Sequence, residues 1–250
     1  MQCDLSIILP SIRPHLIQQF YDSIPASVGN YSFELIIVGP HPTYGIRNIR
    51  HIVDLGSPAR CLQIGAVLAE GEFLTWASDD GLYQPNGLKD CIDLLKTKKS
   101  NDGIIVRYSE GVGRSGQMPP DNYWTGWTHP DHRLGGVNPA WKIAPVGLYY
   151  RNHFLLMGGL DCQYEHANMN SHDFCYRNQK MGGEYYMSPG LVMACDQMPG
   201  YSGDHGPVED AYALNDRDLF AKMWGEPNDR TVIPLNNWQN AEAVWKRRFK

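Results

Sequence analysis

The sequence has no long apolar run. No stretch approaches the ~20 consecutive apolar residues that cross a bilayer, so no membrane-spanning helix is expected. The apolar run Leu5 to Leu9 follows Asp4 and stops at Pro10. That is too short for the roughly 7–15-residue core of a secretory leader, and a cytoplasmic protein is expected. A basic surplus is also missing: 22 Lys and Arg stand against 27 Asp and Glu, a formal net charge of −5. Proteins that hold long nucleic acid usually carry the opposite balance, so no stable nucleic-acid partner is expected. Cysteines in a C-x-x-C pair are lacking. Cys3, Cys61, Cys91, Cys162, Cys175 and Cys195 are scattered, which suits reduced thiols rather than a disulfide framework or a zinc site. Nor does the chain have the low apolar content of a disordered segment. It is 42% hydrophobic and 20% charged, ordinary values for a folded domain. Its 250 residues suit one α/β domain or two small ones.

What is present is an alternation of strand and helix signals. Leu5-Ser6-Ile7-Ile8-Leu9 has the continuous apolar character of a strand buried on both faces. Ile17, Phe20, Tyr21 and Ile24 then follow helical spacing, with Pro14 near the helix start. Phe33 to Val38 reads as a second strand stopped by Gly39-Pro40, and Ile52-Val53 as a weaker third. A helix apolar nearly all round is expected from Pro58, and Phe73 to Ala77 reads as a strand. Leu88, Cys91, Ile92 and Leu95 mark another helix, and Ile104 to Val106 another strand. Such alternation predicts a mixed, mostly parallel sheet with helices on both faces. Ligands bind such sheets beyond the carboxyl ends of their strands. Residues 109–142 lose this periodicity and are rich in Gly, Pro, Trp, Tyr and His, a long insertion. Later, a helix is expected from Ser171, as N-cap, to Gly182-Gly183, and another from Asp216 to Trp224 with Asn215 as cap.

Four clusters could carry chemistry. Asp79-Asp80 follows an apolar strand, a placement that suits a hard cation such as Mg²⁺ with substrate phosphates; Asp-Asp-Gly is equally good turn chemistry. Asp173, at an expected helix start, could accept a proton or simply stabilise the helix end. His205, between glycines, could reach a metal or a phosphate, or lie on the surface. In the insertion, Trp124, Trp127 and their aromatic neighbours could stack on a sugar or form a local core.

In their order along the chain, these segments resemble glycosyltransferase family 2, which has the GT-A fold. Ser6-Ile7-Ile8-Leu9-Pro10-Ser11-Ile12-Arg13-Pro14 resembles its opening strand, proline and polar turn. Pro58-Ala59-Arg60 through Gly65 resembles its Pro-x-Arg-x-x-x-x-Gly helix, and Ala69-Glu70-Gly71-Glu72-Phe73-Leu74 its "A-x-G-E-Y-I". Ser78-Asp79-Asp80 resembles its acidic motif, and Gly158-Gly159-Leu160-Asp161 its "G-G-F-D" turn. His172-Asp173-Phe174-Cys175-Tyr176-Arg177 resembles its "E-D-x-D-L-x-x-R" helix start, and Asp216 to Gly225 a "D-x-x-L-F-x-x-K-W-G" ending. The chain departs from the family at Gly39-Pro40-His41, where one or two Asp are usual, and at Ser78 and His172.

The resemblance implies a GT-A (Rossmann-like) domain over 1–225 with an acceptor-side insertion at 109–142, followed by a helical tail at 226–250. It implies a metal-dependent, inverting transfer from a UDP- or GDP-linked sugar to a hydroxyl acceptor, a glycan first of all, with Mn²⁺ or Mg²⁺ as cofactor. Asp173 would be the base. Pro10, Ser11, Arg13, Arg60 and Asp79 would line the donor nucleotide, while Asp80, Asp79 and His205 would hold the metal. Trp124, Trp127, Gly159 and Asp161 would meet acceptor or sugar. Transfer to a nucleic-acid base or a protein, and a non-catalytic binding module, are the alternatives. In the tail, Trp238, Ala241 and Trp245 at helical spacing with Lys246-Arg247-Arg248 would suit peripheral membrane contact, or a docked C-terminal helix.

Overall fold

The structure, a computed structural model, describes residues 3–42, 45–46, 49–110, 123–124, 142–195 and 206–240, with 110, 123–124 and 240 described by backbone alone. Strand β1 (Leu5–Pro10) lies at the heart of the main sheet. It pairs in parallel with β2 (Phe33–Val38) on one side and β4 (Phe73–Trp76) on the other. β3 (Ile49–Ile52) extends the sheet beyond β2, again in parallel. On the other flank, β9 (Gly147–Tyr150) runs antiparallel between β4 and β6 (Gly103–Ile105), and β10 (Tyr185–Met187) pairs in parallel with β6. The order is β10-β6-β9-β4-β1-β2-β3.

The period-two alternation of strand side chains explains why β1 is apolar throughout. Leu5, Ile7 and Leu9 enter a core with Ile17, Phe20 and Ile24 of α1 (Ile17–Val28) and Leu88, Cys91 and Leu95 of α3 (Gly87–Lys96). Ile8 points the other way, into a core with Leu62 of α2 (Pro58–Leu68) and Phe174 of α5 (Ala167–Lys180). Both faces of the sheet are therefore covered, as the sequence pattern required. A smaller sheet joins β5 (Gly81–Tyr83), β11 (Met193–Cys195), β7 (Tyr108–Glu110) and β8 (Tyr123–Trp124). The insertion thus contributes at least one paired strand, β8, at the edge of this sheet.

Three expectations are corrected. α5 starts at Ala167, not Ser171. The His166 ring accepts from the amide of Asn168 at 3.2 Å, and Asp216 accepts from the amides of Glu165 and His166 at 2.9 and 2.7 Å. Ser171 is already inside the helix, its hydroxyl donating back to the Asn168 carbonyl at 2.9 Å. Asn215 caps nothing: α6 (Gly206–Ala211) runs through a π turn at Tyr212–Asp216 into α7 (Arg217–Trp224), so the backbone there is already helical. Residues 226–240 are not a helical tail. They run back over the domain, with Ile233 buried, and form only a 3-10 turn at Asn237–Asn240. Residues 241–250, including Trp245 and the basic cluster, lie outside the described residues.

Candidate active site

The chain leaves β1 toward β2 and β3, then crosses back to β4 on the other side. That reversal opens a crevice at the carboxyl ends of β1 and β4, the usual ligand position in such sheets. The turn after β1 supplies Ser11 and Arg13; the turn after β4 supplies Ser78, Asp79 and Asp80. They meet across the crevice. Ser11 donates its hydroxyl to Asp79 Oδ2 at 2.7 Å, and the Arg13 guanidinium pairs with Asp79 Oδ1. Burial pushes the Asp79 carboxyl up from its ordinary value; Arg13 and Ser11 pull it down without cancelling the rise, to which Asp80 adds. Asp80 is placed differently. One oxygen accepts from the Ser78 hydroxyl, and the other has no protein partner among the described residues. The departure at Gly39 has a steric cause: a Cβ there would stand 1.9 Å from the Ser11 carbonyl oxygen. Pro10 closes β1 opposite Val38.

Arg60, expected at the nucleotide, is engaged elsewhere. Its Nε donates to both Asp54 oxygens at 3.1 and 3.2 Å, and its NH1 to the Trp238 carbonyl. Its guanidinium lies 5.3 Å from the centre of the Trp238 ring. It ties the start of α2 to the segment after α7.

A second polar cluster surrounds α5. Asp173 is fully buried and accepts from Arg177 Nε at 2.7 Å, Trp224 Nε1 at 3.0 Å and Arg230 Nε at 3.0 Å. Burial pushes its carboxyl up, but the charges and hydrogen bonds of Arg177 and Arg230 more than offset this and hold it below the ordinary range. Arg230 also pairs with Asp161. Arg177 donates onward to the carbonyls of Met157 at 2.9 Å and Gly159 at 2.5 Å. The Gly158-Gly159 turn has φ of +83° and +67°, and a Cβ on Gly159 would meet Gln63 Oε1 at 2.3 Å. Gln63 in turn donates to Gly158 and Leu235 carbonyls and accepts from the Leu160 amide. Gly159, Asp161 and Asp173, expected at the base and at the acceptor or sugar, meet through Arg177 and Arg230 in a closed network rather than an open sugar site.

This geometry corrects the alignment of Asp173. In "E-D-x-D-L-x-x-R" the second Asp stands four residues before the Arg, the i,i+4 step that Asp173 and Arg177 make. The first two acids of the pattern then fall on Asn170 and Ser171. Asn170 is fully buried, and neither amide atom has a hydrogen-bond partner among the described residues. The spacing signal was present in the sequence; the importance of Arg230 was not, since it is a lone cation in an irregular stretch.

Among the described residues no group of three or more His, Cys, Asp or Glu gathers as a metal cluster. His205 and Trp127 lie outside the described residues, and Trp124 is placed only by its pairing with Tyr108. Asp79 has both oxygens engaged, whereas Asp80 keeps one without a protein partner among the described residues. None of the six cysteines forms a disulfide, and five are buried. No described helix is long and apolar enough to cross a membrane.

No family model and no curated protein sequence matches the chain. Solved structures do. TarS residues 1–349 from S. aureus in complex with UDP superposes with a TM-score of 0.53 at 14% identity, covering 88% of this chain and 70% of that one. The chain has the GT-A fold. The S. aureus TarS 1–349 complex with UDP-GlcNAc gives 0.50 at 15% identity over 77% of this chain and 58% of that one. A further S. aureus TarS structure gives 0.52 at 13% identity and covers 85% of this chain, which spans only 40% of its length.

Proposed function

We propose that the protein is a nucleotide-sugar-dependent glycosyltransferase acting on a hydroxyl acceptor, a glycan in the first place. The observation that carries this is the crevice between β1 and β4: Ser11 and Arg13 on one lip, Asp79 and Asp80 on the other, in a GT-A sheet whose TarS neighbours bind UDP and UDP-GlcNAc. Arg13, held by Asp79, and Ser11 order the turn that receives the nucleotide. Asp80 is the carboxylate suited to Mg²⁺ or Mn²⁺, since such ions commonly take one or two carboxylates beside substrate phosphates. When bound, the cation would offset negative charge on the departing diphosphate.

The transfer is a single displacement with inversion. The acceptor oxygen bonds to the anomeric carbon as the bond to the diphosphate breaks; the electron pair of the broken bond leaves with the diphosphate, and the hydroxyl proton passes to solvent water. Asp173 does not take the proton, because three donors hold that carboxylate inside the fold. The insertion, entering from the small sheet through β8, supplies the acceptor side.

Thermal melting with UDP in Mn²⁺ and in EDTA tests the assignment, because a ligand of the native state raises its apparent stability. UDP should stabilise the wild type only with the metal, and Asp80→Asn should lose that difference. Equal stabilisation in EDTA would remove the metal; none in either condition would remove the nucleotide.

A further inference from the structure

Beyond the crevice, the small sheet carries donors with no hydrogen-bond partner among the described residues. Arg107 stands two residues past the end of β6, and Ser109 lies in β7. Val106 and Tyr108 enter the core shared with α1 and α3. Alternation therefore turns Arg107 and Ser109 to the opposite face. The register places Ser109 in one row with Ala194 of β11 and Leu82 of β5, and Leu82 is two residues after Asp80. With strands about 4.8 Å apart, Ser109 stands roughly 10 Å from Leu82 across that row.

The Arg107 backbone is anchored: its amide donates to Ser188 Oγ at 3.0 Å and its carbonyl accepts from Val192 at 2.9 Å. Its side chain is not. Nε is buried without a hydrogen-bond partner, and the guanidinium makes no ion pair among the described residues. The Ser109 hydroxyl, 1% exposed, also has no partner among the described residues. Buried polar atoms are normally paired, so two orphans one strand step apart call for a shared partner. Arg offers only donors and a hydroxyl can donate as well; the group that satisfies both is an acceptor. A guanidinium fork suits the planar or tetrahedral oxygens of carboxylate and phosphate.

We propose that Arg107 and Ser109 form an oxyanion site for a phosphate group of the ligand, on the same face of the small sheet as Leu82 and two strands from it. The proposal rests on the nucleotide-sugar reading only for the identity of the ligand. The phosphate can belong to the donor diphosphate or to the acceptor.

Calorimetric titration of the full chain with UDP, uridine and inorganic phosphate tests it. Arg107→Gln should weaken a phosphate-bearing probe by about tenfold or more, the range of a hydrogen bond to a charged group, and Arg107→Lys should recover part of the loss. The melting temperature should stay near wild type, because the guanidinium makes no ion pair and its Nε no hydrogen bond among the described residues. Loss for UDP with uridine unchanged assigns the site to the donor diphosphate. Unchanged UDP, with phosphate binding beside saturating UDP lost, assigns it to the acceptor. Equal loss for UDP and uridine overturns the proposal, as does unchanged binding of both UDP and phosphate. If Arg107→Gln fails to fold, Ser109→Ala decides: weakened phosphate-probe binding at wild-type stability supports the site, and unchanged binding removes it. A wild type that binds phosphate through Arg107 but not UDP would sink the nucleotide reading and leave this site standing.

Discussion

Two arginine–aspartate pairs organise this molecule, one at the strand ends of the main sheet and one within α5. Arg13–Asp79 bridges the turns after β1 and β4; Arg177–Asp173 lies within α5. Both are buried, yet their surroundings differ. Asp79 is followed by Asp80, which keeps an oxygen without a protein partner among the described residues. Asp173 is ringed by Arg177, Arg230 and Trp224. The first pair shapes the lip of a crevice and leaves a charge available beside it. The second consumes its charge in joining α5, α7, the glycine turn and the segment after α7. An acid of sequence-level promise is therefore functional or structural according to what its second oxygen meets.

The largest expected effect falls on the closed cluster. Asp173→Ala leaves Arg177 without a counter-charge and Arg230 with Asp161 alone. Removing one partner of a buried pair costs about 3–5 kcal/mol, which lowers the melting temperature by roughly 6–20 °C in a chain of this size. Calorimetry and turnover of the folded fraction should show a large stability loss. If Asp173→Asn melts near wild type while transfer falls by about 10²–10⁴-fold, Asp173 is the base after all and the contrast collapses.

Arg13→Met should cost less stability, about 3 kcal/mol, because Asp79 keeps the Ser11 hydroxyl as a donor. It should also weaken UDP binding, which Asp173 variants that still fold should not. Calorimetric titration beside thermal melting measures both; a purely structural loss would merge the two clusters into one class.

The pairs should also differ in sign with pH. The folded Asp173 carboxyl is held low, so its stability is present above its unfolded value of ~3.9 and lost as pH falls through the lower folded value. The folded Asp79 carboxyl is raised, so its contribution is full below ~3.9 and lost as pH rises through the folded value. Denaturant unfolding between about pH 3 and pH 7 should show wild type minus Asp173→Asn shrinking on the acid side. Wild type minus Asp79→Asn should shift the opposite way. Parallel curves would refute the assigned directions.

The smallest stability change belongs to Asp80→Asn, within about 1 kcal/mol, the worth of one ordinary hydrogen bond. Only its metal-dependent nucleotide response should vanish. A large melting shift would show that Asp80 is as structural as Asp173.

Strands β1, β2, β4 and β6, helices α1 to α3 and the position of the Asp79–Asp80 turn were legible because they rest on local patterns: continuous apolar runs and helical spacing. The start of α5 was misplaced because Ser171 is a good cap by composition, whereas His166 and a remote Asp216 fix the start. The spacing of Asp173 to Arg177 was on the page as an i,i+4 step, but its burial was not.

By itself, the sequence determined an α/β sheet of this order of elements and the crevice acids at the end of β4, because hydrophobic periodicity and strand-end polarity are properties of neighbouring residues. Tertiary structure alone decided that Arg60 serves Asp54 and Trp238, that Arg230 returns to Asp161 and Asp173, and that Arg107 Nε and the Ser109 hydroxyl stand without partners among the described residues. Those outcomes depend on groups from distant parts of the chain meeting in a medium where an unpaired charge is costly, and no local pattern encodes such meetings.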